Sequence, residues 1–324
     1  MKPLFIGCDL GGTNLRAGIV DPESGQVSHL LSTPTLAREG HNAVMRRMAA
    51  LIEQLISASG CPREFMGGIG IGVPGVLDLD RGLTLFLPNL TGTWPEVPLR
   101  DTISQLTDLP VVLLNDARSI TYGEWRFGAG RCSETMACFA IGTGIGGGLI
   151  INAQLHLGNG GTAGELGHQT IDYNGPLCGC GNRGCLETLA SGPAISAMGL
   201  KAVTQGLTTT IGELANFDLN KITPELIALA ASQGDGIAQR ILEEAGFYIG
   251  VAAANVCVSI GPQIVVIAGG VSRIGEPIIG AIRRTIYARA KFVTGDQVQV
   301  VQASLGDTAG VIGAALWAGN TLHN

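Results

Sequence analysis

Leu4-Phe5-Ile6-Gly7-Cys8-Asp9-Leu10-Gly11-Gly12-Thr13-Asn14-Leu15-Arg16-Ala17-Gly18-Ile19-Val20 is the stretch from which the chain is best read. Apolar runs over Leu4 to Asp9 and over Leu15 to Val20 read as strands, and Gly11-Gly12 turns between them. Asp21-Pro22-Glu23-Ser24-Gly25 is a second turn, followed by a strand from Gln26 to Leu31. The N-terminus is therefore an antiparallel meander. The pattern returns from Thr135, with a strand to Ile141, glycines between Gly142 and Gly148, a strand from Leu149 to Asn152 and a turn at Ala153-Gln154. This is a weak internal repeat, and 324 residues suffice for two α/β domains with a core each.

Between the repeats, Val44, Met48, Leu51 and Leu55 recur at helical spacing and predict a core-facing helix over Arg38 to Ser57. Buried strands are predicted at Gly68 to Val73, before Pro74-Gly75, and at Val111 to Leu114, before Asn115-Asp116; Ala117 to Phe127 reads as helix. Glu225 to Val258 reads as helices. Gly246 to Ser272 carries no charge and is long enough to span a membrane. Gly261-Pro262 breaks it, which predicts a buried helix to about Val258, a turn and the strand Ile264 to Ile267. Asp307 is placed to cap a last helix, Thr308 to Ala318.

A net charge of −6 argues against nucleic acid as the main partner. The eight cysteines show no framework of paired spacings, which points to a reducing compartment, the cytoplasm. Met1 to Ile6 runs straight into a strand without the apolar region of a signal peptide.

Gly164-Glu165-Leu166-Gly167-His168 and Cys178-Gly179-Cys180-Gly181-Asn182-Arg183-Gly184-Cys185-Leu186-Glu187 bring one histidine and three cysteines within eighteen positions. Four such ligands, His168, Cys178, Cys180 and Cys185, close a tetrahedral structural Zn²⁺ site, and the interspersed glycines permit the tight turns it needs. Zinc would take one nitrogen of His168, leaving the other as an N–H donor that needs an acceptor. Glu165 and Glu187 bracket the cluster.

Asp9, Gly11, Gly12 and Thr13 form a strand-end carboxylate followed by a turn whose backbone can approach phosphate oxygens, with Asp9 able to orient hydrated Mg²⁺. Gly142, Thr143 and Gly144 offer a second such turn; on this reading Gly144→Val weakens a nucleotide far more than a sugar. Gly269-Gly270 is a candidate platform for a flat base. Neither turn fits a Walker or dinucleotide pattern. Asp116 is the candidate general base for phosphoryl transfer to an alcohol, although taken in isolation a strand-to-helix aspartate reads first as a plain N-cap. Asn89, Asn115, Glu165, His168 and Glu187 supply the carboxylates, amides and ring nitrogens that satisfy several sugar hydroxyls.

These blocks, with Gly72-Val73-Pro74-Gly75 and Pro88-Asn89-Leu90, occur in an order that resembles the ROK family of sugar kinases and repressors, its bacterial glucokinases above all. The resemblance implies an actin-like, ribonuclease H-like ATPase fold: two α/β lobes with a central cleft. The expected lobes are 1–117, with 308–324 packing back on it, and 118–307, carrying the zinc site. It implies an ATP- and Mg²⁺-dependent hexose kinase that phosphorylates the sugar 6-hydroxyl, commonly a homodimer or homotetramer. Glucose is the first expected acceptor; fructose, mannose, allose and N-acetylhexosamines are the alternatives. It makes Asp116 the base, puts Asn89, Asn115, Glu165, His168 and Glu187 on the sugar, and places Asp9, Gly11, Gly12 and Thr13 on the phosphate side. Arg118 departs from the pattern, because glucokinase-like members usually carry Asn there. A sugar-sensing repressor is the runner-up, but the first strand begins too near Met1 for a helix-turn-helix. A non-enzymatic zinc-stabilised binding protein fits the glycine turns and Asp116 less well.

Overall fold

The computed structural model describes residues 3–88, 90–291 and 297–323. Asn89 lies outside the described residues. The chain divides into two compact units, Met1–Cys132 with Leu155–Gly164 and Ser304–Asn324, and Ser133–Gln154 with Glu165–Ala303.

The first unit contains β1 (Leu4–Leu10), β2 (Asn14–Val20), β3 (Val27–Pro34), α1 (His41–Ser59), β4 (Met66–Val73), β5 (Val76–Asp78), β6 (Leu83–Phe86), α2 (Leu99–Thr107), β7 (Val111–Asn115) and α3 (Asp116–Phe127). The second contains β8 (Met136–Ile141), β9 (Ile145–Ile151), β10 (Gln154–Leu155, whose Leu155 falls in the first unit), α4 (Leu186–Ala190), α5 (Gly192–Thr204), α6 (Ile211–Leu214), α7 (Pro224–Ser232), α8 (Gly236–Ile260), β11 (Ile264–Ala268), α9 (Glu276–Arg289) and β12 (Gln299–Gln302). The chain then returns to the first unit as α10 (Ala309–Leu322).

The weak sequence repeat is a full topological repeat. One sheet has the order β3-β2-β1-β4-β7 and the other β10-β9-β8-β11-β12. In each, the first strand pairs antiparallel with its hairpin partner and parallel with the next strand, which itself pairs parallel with the last.

Strand alternation decides how the first sheet is covered. Ile6, Cys8 and Leu10 face the layer of α1 and α2, packing with Val44, Met48, Leu55 and Ile103. The opposite face carries Gly7 and Gly70, and a Cβ on either would overlap the backbone of α10, at Val311 and Ala314. Small residues there let the helix backbone approach the sheet closely. In the second unit Phe139, Ile141, Val265 and Ile267 pack with Leu242, Ile249, Ile278 and Ile282.

Several expected boundaries move. α1 begins at His41, because Ala37–Glu39 is a separate 3-10 turn ended by Gly40 at φ 85°. The boundary expected after 117 lies after Cys132, since α3 packs against α10, Tyr122 stacking edge-on against Trp317. The glycine run to Gly148 is strand from Ile145 onward; Gly147 is held to glycine by Leu166, whose side chain fills the space of a Cβ. Asp307 does not cap α10: it lies in the 3-10 turn Gly306–Thr308, and α10 begins without a side-chain cap. The uncharged stretch folds as expected, α8 ending at left-handed Gly261 ahead of β11. α8 is long and apolar enough to cross a membrane, but 61% of its most apolar window is buried inside the protein.

Candidate active site

In the first unit, parallel pairing aligns the carboxyl ends of β1, β4 and β7. Asp9 lies beside Gly72, and Val73 beside Asn115. Ligands of open α/β sheets bind outside this edge. Asn115 is the N-cap of α3, its Oδ1 accepting from the backbone N–H groups of Ala117 (3.0 Å) and Arg118 (3.2 Å). Its Nδ2 donates to the Gly75 carbonyl, 3.1 Å away, so the side chain ties the end of β7 to the turn between β4 and β5 and keeps one N–H for a ligand. Capping therefore falls to Asn115, and Asp116 is the first helical residue, with Oδ1 accepting from Ala117 N at 2.8 Å. The plain N-cap reading of Asp116 does not hold.

Asp9 is the electrostatic centre of this edge. Burial, then the nearby Asp116, push its carboxyl up to about 6; Arg16, 3.8 Å away, opposes the shift and Asp307 adds to it. Asp307 is a contribution that sequence reading missed, arriving from the 3-10 turn before α10, far along the chain. The raised value means that between roughly pH 4 and 6 the folded chain holds a proton that the unfolded chain releases. Stability from this group therefore falls as pH rises through that window. Asp9→Asn should stabilise the ligand-free protein at pH 7.5 by about 3 kcal/mol, with the advantage gone below pH 4. Urea denaturation at both pH values checks this; a variant less stable than wild type at pH 7.5 contradicts it. At the tip of the hairpin Gly12 and Thr13 are exposed, whereas Gly11 N–H is engaged by Asn14 O at 2.9 Å and closes the turn itself.

In the second unit, the two glycine turns also leave adjacent strand ends. Gly142-Thr143-Gly144 follows β8 and Gly269-Gly270 follows β11, with Ala140 beside Ala268. Gly269 has φ 82°, and a Cβ on it would overlap the Ile141 backbone, so close strand packing already accounts for this glycine. Gly270 borders open space. Glu187, in the first turn of α4, reaches the other glycine turn and accepts from Ile145 N–H through Oε2 at 2.8 Å. A Cβ on Gly144 would overlap that same carboxylate oxygen. This changes the expected result for Gly144→Val. The substitution should displace Glu187 and weaken sugar at least about tenfold together with nucleotide. Calorimetric titration of both ligands is the check, and unchanged sugar affinity in a folded variant would refute the coupling.

The sequence-predicted metal ligands come together. One donor atom from each of His168, Cys178, Cys180 and Cys185 lies within 4.8 Å of every other. Cys180 Sγ and Cys185 Sγ are 3.7 Å apart, and Cys178 Sγ is 3.6 Å from His168 Nδ1. A tetrahedral zinc with ordinary bond lengths requires S···S and S···N edges of ~3.8 and ~3.6 Å. The donor set therefore fits Zn²⁺ in kind, number and spacing. Burial raises the thiols of Cys178 and Cys185, the latter to about 12, while the backbone at Asn182 lowers Cys180. Three thiolates packed this closely call for a cation. Gly181 and Gly184 take left-handed φ values of 90° and 62° to turn the loop. Because Nδ1 faces the sulfurs, Nε2 is the nitrogen left for another partner. Leu166–His168 is a 3-10 turn with Leu166 and Gly167 buried against β9, and Glu165 is exposed at its start.

The ROK family model matches residues 5–321. A glucokinase of Thermotoga maritima is 36% identical over 316 residues, covering 97% of this chain and 96% of that one. A xylose repressor of Caldicellulosiruptor bescii is 33% identical, covering 95% of this chain and 76% of the repressor. Among solved structures, a ROK glucokinase from Streptomyces griseus in complex with glucose and AMPPNP superposes with a TM-score of 0.86 at 33% identity, covering 98% and 99% of the two chains. The fold class is the expected α/β, actin-like ATPase fold. Matched by the family model along nearly its whole length, and more than 30% identical to relatives it almost fully covers, this chain belongs to the ROK family.

Proposed function

We propose that this chain is an ATP-dependent hexose kinase with glucose as its first acceptor. The observation that carries the reading is that Asn115 caps α3 while Asp116, its first residue, brings a carboxylate to the head of the helix near enough to Asp9 to raise it. Asp116 accepts the proton of the sugar 6-hydroxyl. The resulting oxygen attacks the γ-phosphorus of ATP in line, the bond from that phosphorus to the β–γ bridging oxygen breaks, and ADP departs. Glu165, His168 and Glu187 hold sugar hydroxyls, and Asn115 offers its remaining N–H. Asn89 belongs to the same reading. Gly142 to Gly144, the β1–β2 turn and Gly269-Gly270 receive the nucleotide. Mg²⁺, when bound with ATP, supplies positive charge for the phosphates; Asp9, raised by burial and by the nearby Asp116 and Asp307, suits a hydrated cation that would relieve it. Zn²⁺ at His168, Cys178, Cys180 and Cys185 fixes the segment that carries Glu165 and Glu187. Assembly as a homodimer or homotetramer, and a cytoplasmic location, complete the reading on the strength of the family relationship.

Support comes from the glucokinase relatives and from the neighbour solved with glucose and an ATP analogue. Other kinases of the family take other sugars, as the N-acetylmannosamine kinase of Yersinia pseudotuberculosis shows by its name. The test is coupled ADP release with ATP, Mg²⁺ and a panel of glucose, mannose, fructose, allose and N-acetylhexosamines. Glucose should give the highest kcat/KM. Another hexose ranked first by tenfold or more would replace glucose, and sugar-independent ADP release would reject the kinase.

A further inference from the structure

Arg118 is a charged side chain only 2% exposed, in the first turn of α3, two residues after the proposed base. Arginine is almost never so buried unless its donors are engaged. Its Nε donates to the Ala163 carbonyl at 2.7 Å. Ala163 N–H in turn donates to Leu157 O at 2.9 Å, so the bond pins the end of a closed loop, Leu157 to Ala163, onto the helix that starts at Asp116. The next residue, Gly164, has φ 91°, and the one after is Glu165.

The Glu165–His168 run is held on its far side by other means. His168 N–H donates to Glu165 O at 3.1 Å, Leu166 packs against Gly147, and Gly167 lies against the Ile145 carbonyl. Glu165 itself is exposed, between that anchored turn and the pinned Ala163. Glu165 follows Ala163 by two residues, so the Arg118 bond fixes the chain immediately upstream of it. We propose, resting on the kinase reading above, that Arg118 is a positioning residue that fixes Glu165 and thereby sets which sugar hydroxyls this chain accepts. It touches neither substrate nor nucleotide. Its Nε acts through the Ala163 carbonyl, two residues before Glu165.

The test compares Arg118→Ala with Arg118→Gln. The amide nitrogen of glutamine stands the same number of bonds from Cβ as arginine Nε, so it can restore the donor to Ala163 without the charge. Glucose and ATP constants, the kcat/KM ratio of glucose to allose, and melting temperature are measured for each. Arg118→Ala should raise the glucose KM at least about tenfold, leave the ATP KM within about threefold, and shift the glucose-to-allose ratio at least about fivefold. Arg118→Gln should recover most of each change. Wild-type glucose KM and discrimination in Arg118→Ala would overturn the proposal, and so would equal loss for both ligands in both variants, the signature of a purely structural arginine. If Arg118→Ala does not fold, Arg118→Gln decides: a folded protein with near-wild-type glucose KM and discrimination supports the Nε bond, and one with a tenfold higher glucose KM overturns it. Wild-type protein that phosphorylates no hexose would overturn the kinase reading itself, before any variant is compared.

Discussion

Asp116→Asn should lower the rate of phosphoryl transfer by roughly 10²–10⁴-fold while sugar affinity stays within about tenfold. The variant is informative because of how the helix start is built. The cap of α3 is the Asn115 side chain, so the helix start keeps its cap when 116 is changed. Asparagine keeps an Oδ1 to accept from Ala117 N–H, which Asp116 now does at 2.8 Å. What it loses is basicity. A fall in kcat with little change in glucose affinity and melting temperature would isolate the proton-accepting step. Near-normal turnover would reject Asp116 as the base.

Loss of the metal should have the second largest effect. Purified protein prepared without chelators should carry one Zn²⁺ per chain, and Cys185→Ser, at a fully buried ligand, should carry almost none. Structural zinc in small sites is worth roughly 10 kcal/mol of local folding energy, so the segment from His168 to Glu187 should lose its order. Glu187 would then leave Ile145 N–H. His168→Gln is the milder probe. With Nδ1 facing the Cys178 sulfur, the ring offers Nε2–H to the sugar. Removing that donor should cost on the order of 1 kcal/mol, about fivefold in affinity, and more if Glu187 is also disturbed. The sugar constant should rise strongly and the ATP constant little. Metal-free wild-type protein by elemental analysis would refute the zinc site. A folded His168→Gln protein with wild-type sugar affinity by calorimetry would confine His168 to a structural role.

The repeat of strand, glycine turn and strand was readable because alternation and glycine pairs are local signals, and both sheets begin that way. The metal cluster was readable for the same reason, its ligands being close in sequence and of unmistakable type. The misread points depend on residues distant in the chain. Glycines 146 to 148 look like turn and are strand, with Leu166 already filling the space beside Gly147. Gly144 looked like room for phosphate and is partly room for Glu187. Which of Asn115 and Asp116 caps α3 is a matter of one backbone dihedral, and dipeptide composition does not encode it. Arg118 stood out in the sequence only as a departure from the family pattern; its burial goes with the return of residues 155–164 to the first unit. The pressure on Asp9 from Asp307 likewise needs the chain to come back as α10.

Phosphate should move from ATP to a hexose 6-hydroxyl. Phosphorus NMR of a mixture of protein, ATP, Mg²⁺ and glucose, followed to completion, observes that transfer directly. The expected result is a new phosphomonoester signal coupled to the two C6 protons of the sugar, growing in step with ADP and absent with 6-deoxyglucose. ADP accompanied only by inorganic phosphate, or no loss of ATP with any hexose, would contradict it.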